Sequence, residues 1–335
     1  MADTTIEMDR VSSRGIRDHE VQAGSADTPA GREAPARFAP GFLLDREVEL
    51  VADAARARVL AEIDRLNLVH HVAALELHGY TILSPEETGA AALLEPLMAA
   101  ILRISETRTG VPVDVVTGDT HRHFHLPTGQ VQWEPSLLLK DPVFEQALMN
   151  PPALALITYL LGESCIVSHL SSMVKGPGDD YLPMHTDQNQ SGAIPPAPPY
   201  AQVANATWAL TDYNRDNGGI CFVPGSHRYC RQPTYAEAVD LSLFQPLEVK
   251  AGSIIIWHGN TWHGAFPRRN PGVRVSLVEY FSRSYLRPSE DLGPLISPEA
   301  LERNPPRFAV LTGAAKHLKD FNSPVTRASR VGLFV

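Results

Sequence analysis

His185 and Asp187 stand two positions apart in the stretch Pro183-Met-His-Thr-Asp-Gln188. In an extended segment such residues project to the same side of the backbone. The imidazole and the carboxylate can therefore reach one point in space. That point suits a proton, a metal ion or nothing at all, because His-x-Asp is an ordinary triplet on a polar loop. Two further features bear on the choice. Trp257-His-Gly-Asn-Thr-Trp-His263 carries two histidines directly after the apolar run Ser253-Ile-Ile-Ile256. Arg274 follows His263 by 11 positions and is flanked by Val273 and Val275.

Two neutral imidazoles and one carboxylate on one side of a metal form the facial triad of non-haem Fe(II) oxygenases. Three ligands leave positions open for a chelating cosubstrate and for O₂. An arginine on an adjacent strand would add a fork-shaped partner for a second carboxylate. Each residue also has a plainer reading. His258 ends an apolar strand and can bond a backbone group. Arg274 can be an exterior residue of an antiparallel strand, as Arg268 and Arg269 in the preceding turn are expected to be. His227 sits in a Pro-Gly-Ser-His turn, where a histidine braces a loop.

The elements that must position these groups fall into two styles. Residues 1–36 are polar and lack an apolar period, which reads as a flexible tail. Leu44, Val48, Val51, Ala55, Val59, Ile63 and Leu66 recur at helical spacing, and the helical pattern extends to about Ala73. Ala74–Leu83 reads as a strand. A second helix starts at Ser84-Pro-Glu-Glu, and a third spans 142–162, interrupted at Pro151-Pro152. From Cys165 onward the pattern is of short β-branched runs, 165–174, 203–212, 220–223, 253–257 and 273–281, separated by Gly, Pro and Asn. Helices first and antiparallel strands afterwards indicate an α+β domain. The expected layout is one domain over 37–335: a helical part to about 162, a barrel part over about 163–285 and a closing segment over about 286–335.

The chain has 335 residues, 44 % hydrophobic and 20 % charged, with a formal net charge of −9. A substantial core is available, and there is no basic surface for nucleic acid. No apolar run approaches the ~20 residues of a membrane span. Three cysteines, an odd number with no Cys-x-x-Cys pair, argue against a disulfide framework and for a reducing, cytoplasmic setting. The N-terminal residues lack the apolar core of a secretory signal.

From about Glu76 to Gly313 the chain resembles the phytanoyl-CoA dioxygenase family of Fe(II)/2-oxoglutarate-dependent dioxygenases. Several segments carry the resemblance in order: Leu77-His-Gly-Tyr-Thr-Ile-Leu83, the helical stretch 137–162, Met184-His-Thr-Asp187, Asn217-Gly-Gly-Ile-Cys-Phe-Val-Pro-Gly-Ser-His227, the stretch 257–277 with its distal histidine and arginine, and Pro305-Pro-Arg-Phe-Ala-Val-Leu-Thr-Gly313. The resemblance implies a double-stranded β-helix, a jelly-roll or cupin-like core with flanking N-terminal helices. It implies His185, Asp187 and His263 as iron ligands, Fe(II) as the metal, and 2-oxoglutarate and O₂ as cosubstrates. It implies Arg274 as partner of the distal cosubstrate carboxylate, with Ser171 and Thr207 as further cofactor-binding hydroxyls; a one-residue shift would put Trp208 in place of Thr207.

The implied reaction is hydroxylation of an unactivated carbon of a small molecule, a natural product or amino-acid derivative. Desaturation, epoxidation and cyclisation are alternative outcomes of the same chemistry, and a non-catalytic jelly-roll binding protein is the alternative of another class. The metal carboxylate is present in Asp187, so halogenation is not expected. No Lys-rich segment offers a site for the phosphates of a CoA thioester. Gln188, His123 and His125 are candidate substrate contacts, the two histidines lying in Thr120-His-Arg-His-Phe-His-Leu-Pro127. Their alternatives are a loop cap for Gln188 and a solvated loop for the histidines. The Pro-rich loop 191–200 is a candidate pocket wall. Small-molecule binding is the only partnership expected.

Overall fold

The computed structural model describes residues 45–120, 131–188 and 196–315. The expected flexible tail 1–36, His123 and His125, much of the loop 191–200 and the last part of the closing segment lie outside the described residues.

Helix α1 (Asp45–Arg65) is followed by α2 (Val69–His78) and strand β1 (Tyr80–Leu83). Here the structure corrects the expectation of a strand from Ala74. Ala74–His78 continue the helix, and Gly79 ends it in the left-handed region at φ 83°. A side chain there would also collide with His227 and Thr261. The helix expected from Ser84 is two helices. Ser84 and Glu87 form a capping box on the short α3 (Pro85–Thr88), and α4 (Ala91–Thr109) begins after Gly89. The interrupted helix 142–162 resolves into α5 (Val143–Leu148) and α6 (Pro151–Leu161). Asn150 caps α6 through Ala153 N, and Pro151 occupies its first turn, where no N–H is needed.

The remaining strands are β2 (Val131–Glu134), β3 (Ile166–Lys175), β4 (Leu182–His185), β5 (Val203–Ala209), β6 (Ile220–Phe222), β7 (Gln245–Pro246), β8 (Ile254–His258), β9 (His263–Ala265) and β10 (Arg274–Ser282). Helix α7 (Tyr235–Val239) lies before β7, and α8 (Pro298–Arg303) and α9 (Pro306–Leu311) follow β10. Two antiparallel sheets form, one six-stranded in the order β1-β8-β5-β10-β3-β2 and one four-stranded in the order β4-β9-β6-β7. This is the jelly-roll arrangement of a double-stranded β-helix with helices on one side. Strands β2, β4, β7 and β9 are too short to carry a readable alternation of their own, so only their neighbours were legible in the sequence.

Alternation along the strands sorts residues between two layers. Val275, Leu277 and Phe281 of β10, with Ile254 and Ile256 of β8, join the large core formed with the helices. Ile255 and Trp257 face the other way and pack with Phe222, Ile220, Tyr213 and Val249. No helix among the described residues is long and apolar enough to cross a membrane.

Candidate metal and cosubstrate site

His185 and His263 are directly opposed across the β4–β9 pair. Cross-strand partners carry their Cβ atoms only about 5 Å apart on one face, and the two rings meet with centroids 4.2 Å apart. Gly264 permits the close approach of β4, since a Cβ there would lie 2.5 Å from Leu182 O. Asp187 follows β4 and is held by its backbone N–H, which donates to Gly259 O at 3.0 Å. One ligand atom from each of His185, Asp187 and His263 falls within 4.8 Å of the other two. Nε2 of His263 lies 3.4 Å from Asp187 Oδ2, and Nε2 of His185 lies 3.7 Å from Oδ1.

The second contacts of these groups orient them. Nδ1 of His185 lies 2.9 Å from Pro183 O, and Nδ1 of His263 lies 3.0 Å from Thr261 O. A carbonyl only accepts, so each Nδ1 donates and each Nε2 is left turned toward Asp187. Burial pushes the His263 imidazole down to about 4, with the neighbouring Asp187 charge acting in the opposite direction, which keeps the ring neutral at ordinary pH. Asn205 Nδ2 and Trp257 Nε1 donate to Asp187 Oδ2 at 2.7 Å and 3.3 Å.

The cluster opens into a cavity of about 540 Å³ between the sheets. Strand register makes its large-sheet wall a grid. Tyr280 stands beside His169 and Asn205, Val278 beside Ser171 and Thr207, Ser276 beside Met173, and Arg274 beside Lys175. The Asp187 contacts are at the Tyr280 row, and the two basic side chains are at the other end. Between them Ser171 Oγ and Thr207 Oγ1 are buried without hydrogen-bond partners, as is Nε of Arg274. Arg274 is 3 % exposed and lies over the Tyr213 ring at 5.4 Å. Orphaned buried polar atoms are costly unless a ligand satisfies them. Three convergent ligand atoms at one end, two unpartnered hydroxyls in the middle and a guanidinium with a free Nε at the other end fit a divalent metal chelated by an elongated anion.

Not every residue singled out in the sequence joins this cavity. The Gln188 amide donates to Pro198 O and Tyr200 O, and its Oε1 accepts from Gln202 N. The structure thus corrects its placement as a substrate contact: it braces the loop. Trp208 points to the helical layer and donates to Glu279. His258 also faces away from the cavity, with Nδ1 accepting from Asn260 N at 3.0 Å. With His227 it lines a larger cavity of about 880 Å³ beneath α1 and α6. That cavity exceeds the first in volume but holds no cluster of three ligand atoms among the described residues. A second such cluster, His70, His71 and Glu87, is accounted for locally, since Glu87 closes the α3 capping box and accepts from the histidines. Asn205, Trp257 and Lys175 were not singled out in the sequence. Asn205 and Lys175 stand an even number of residues from Thr207 and Ser171, which is the signal that could have found them.

Fold and cluster together define a double-stranded β-helix with the two-histidine, one-carboxylate arrangement. The family profile of phytanoyl-CoA dioxygenase (PhyH) matches residues 40–276, and the chain belongs to that family. Dioxygenase af480 of Aspergillus fumigatus is 30 % identical over 176 residues, 51 % of this chain and 55 % of that protein. Phytanoyl-CoA dioxygenase 1 of Oryza sativa subsp. japonica is 30 % identical over 156 residues, 41 % of this chain and 52 % of that protein. The chain thus spans about half the length of these two relatives. Among solved structures, HygX from Streptomyces hygroscopicus with nickel and 2-oxoglutarate bound superposes with a TM-score of 0.52 at 14 % identity, over 65 % of this chain and 87 % of that one. That likeness is one of fold.

Proposed function

We propose that this protein is an Fe(II)- and 2-oxoglutarate-dependent dioxygenase that hydroxylates an unactivated carbon of a small molecule. The observation that carries the reading is the buried Arg274 side chain with its unpartnered Nε, on the wall of the cavity that Asp187 and His263 of the three-residue cluster also line. His185, Asp187 and His263 would hold the metal. Iron(II) in such a set supplies O₂ activation coupled to oxidative decarboxylation of the 2-oxo acid to succinate.

The remaining work belongs to the chain. The carbonyls of Pro183 and Thr261 keep both imidazoles in the Nε2-presenting tautomer. Asn205 and Trp257 hold the Asp187 carboxylate in one orientation. Arg274 would receive the distal carboxylate of 2-oxoglutarate, with Ser171 and Thr207 donating to the same ligand. Trp257, Ile220 and Val278 line the wall with apolar surface and exclude water. Val131, Trp133, Tyr181 and Leu182 form an apolar part of the lining, suited to a carbon skeleton.

The test is an anaerobic titration of the Fe(II)-loaded protein with 2-oxoglutarate, followed by succinate measurement in air across a metabolite library. A weak visible charge-transfer band and substrate-dependent succinate support the reading. Metal binding with neither result overturns it.

A further inference from the structure

Two buried basic side chains, Lys175 and Arg274, share one end of the cavity, and no carboxylate of the described residues forms an ion pair with either. Lys175 is 4 % exposed, and its Nζ donates to the backbone carbonyl of Phe266 at 2.7 Å. The antiparallel register sets it directly opposite Arg274, so both side chains leave the large sheet on its inner face. Both line the cavity that holds Asp187 and His263. A lysine whose only task was to close the barrel end would not need to sit beside a guanidinium whose Nε has no partner.

We propose that Lys175 is a second donor to the distal carboxylate of the cosubstrate and that cosubstrate binding draws a proton onto its amine. This rests on the reading of the site as a 2-oxoglutarate site. Burial, with the Arg274 charge beside it, pushes the Lys175 ammonium down to about 7, while Asp180 in the loop after β3 acts in the opposite direction. The other titratable neighbour, Cys221 of β6, has its thiol pushed up to about 12 by burial and carries no charge. Val131, the β2 partner of Lys175, brings none. In the free protein the amine is therefore about half charged at pH 7 and largely uncharged at pH 8. An incoming carboxylate favours the charged form. The amine then takes one proton from solvent, and no bond of the cosubstrate changes.

The sign follows from this. Binding coupled to proton uptake strengthens as pH falls toward 7 and weakens by up to about tenfold per pH unit above it, by linkage. The test is anaerobic titration calorimetry of 2-oxoglutarate into Mn(II)-loaded protein, in buffers of different ionisation heat. At pH 8 the expected uptake is close to one proton per cosubstrate, and at pH 6 it is about a tenth, since the free amine is already charged there. Lys175→Arg keeps a permanent charge, so binding persists with no proton uptake and loses its slope above pH 7. Lys175→Met also loses the uptake and binds at least about tenfold more weakly, with Mn(II) affinity unchanged, as expected for a lost hydrogen bond to a charged group. Wild-type binding without proton uptake, or uptake that survives in Lys175→Arg, overturns the proposal. A protein that holds Mn(II) but gives no binding heat overturns the 2-oxoglutarate reading itself.

Discussion

Strand β10 buries an ionisable side chain on each of its faces and treats the two in opposite ways. On the face turned to the helices, Glu279 is 1 % exposed, accepts from Trp208 Nε1 at 3.1 Å, and sits among Val275, Leu277 and Phe281. Burial pushes its carboxyl up to about 8, so it stays neutral at ordinary pH. On the face turned to the cavity, Arg274 is equally buried, but its Nε has no acceptor. A carboxyl can shed its charge when desolvated, whereas a guanidinium cannot. The helical face is therefore complete without a ligand, and the cavity face is not. The same contrast separates two histidines with equal shifts. His258 and His263 are both pushed down to about 4 by burial. His258 uses its ring nitrogen on the neighbouring backbone, whereas His263 aims Nε2 at Asp187. Burial alone does not mark a site; burial with an unused, aimed atom does.

The strongest way to break this contrast is Asp187→Ala, which should abolish turnover by removing the one anion among the ligands. Succinate release and Fe(II) titration read it, and wild-type turnover would remove Asp187 from the site. Next, His263→Ala should lose tight Fe(II) binding, while His258→Ala should retain it. The opposite order in a metal titration would mean that the helical-side histidine holds the metal.

Arg274→Leu should weaken 2-oxoglutarate binding by roughly a hundredfold or more, the equivalent of about 3–5 kcal/mol for a carboxylate left without its buried partner. Fe(II) affinity should hardly change, and Arg274→Lys should lose less because it keeps charge without the fork. Separate titrations of metal and cosubstrate decide the point.

The smallest effect belongs to the helical face. Glu279 has a folded value of about 8 against an ordinary 4.5. Between those values the unfolded chain gives up the proton that the folded chain keeps, so stability falls as pH rises through this window. Glu279→Gln should flatten that slope, with melting temperature at pH 8 gaining on the wild type relative to pH 5. Its 2-oxoglutarate affinity should match the wild type, and a large loss would mean that the two faces are coupled.

Residue types and spacing determined much on their own. His185-Thr-Asp187, the late histidines and Arg274 suggested a facial triad with an arginine partner, the choice of His263 over His258 resting on the family resemblance, and the β-branched runs after Cys165 named antiparallel sheets, because alternation is a local property. Tertiary structure decided the rest. Ala74–His78 became helix because the left-handed residue that ends it is Gly79. Gln188 became a brace because the loop carbonyls of Pro198 and Tyr200 fold onto it. Lys175 was not singled out in the sequence, and only the register sets it opposite Arg274. A period of two says which residues share a face, but only the packing of helices on one side and the second sheet on the other says which face looks inward. Once that is known, Asn205 follows from Thr207, and Lys175 follows from Ser171.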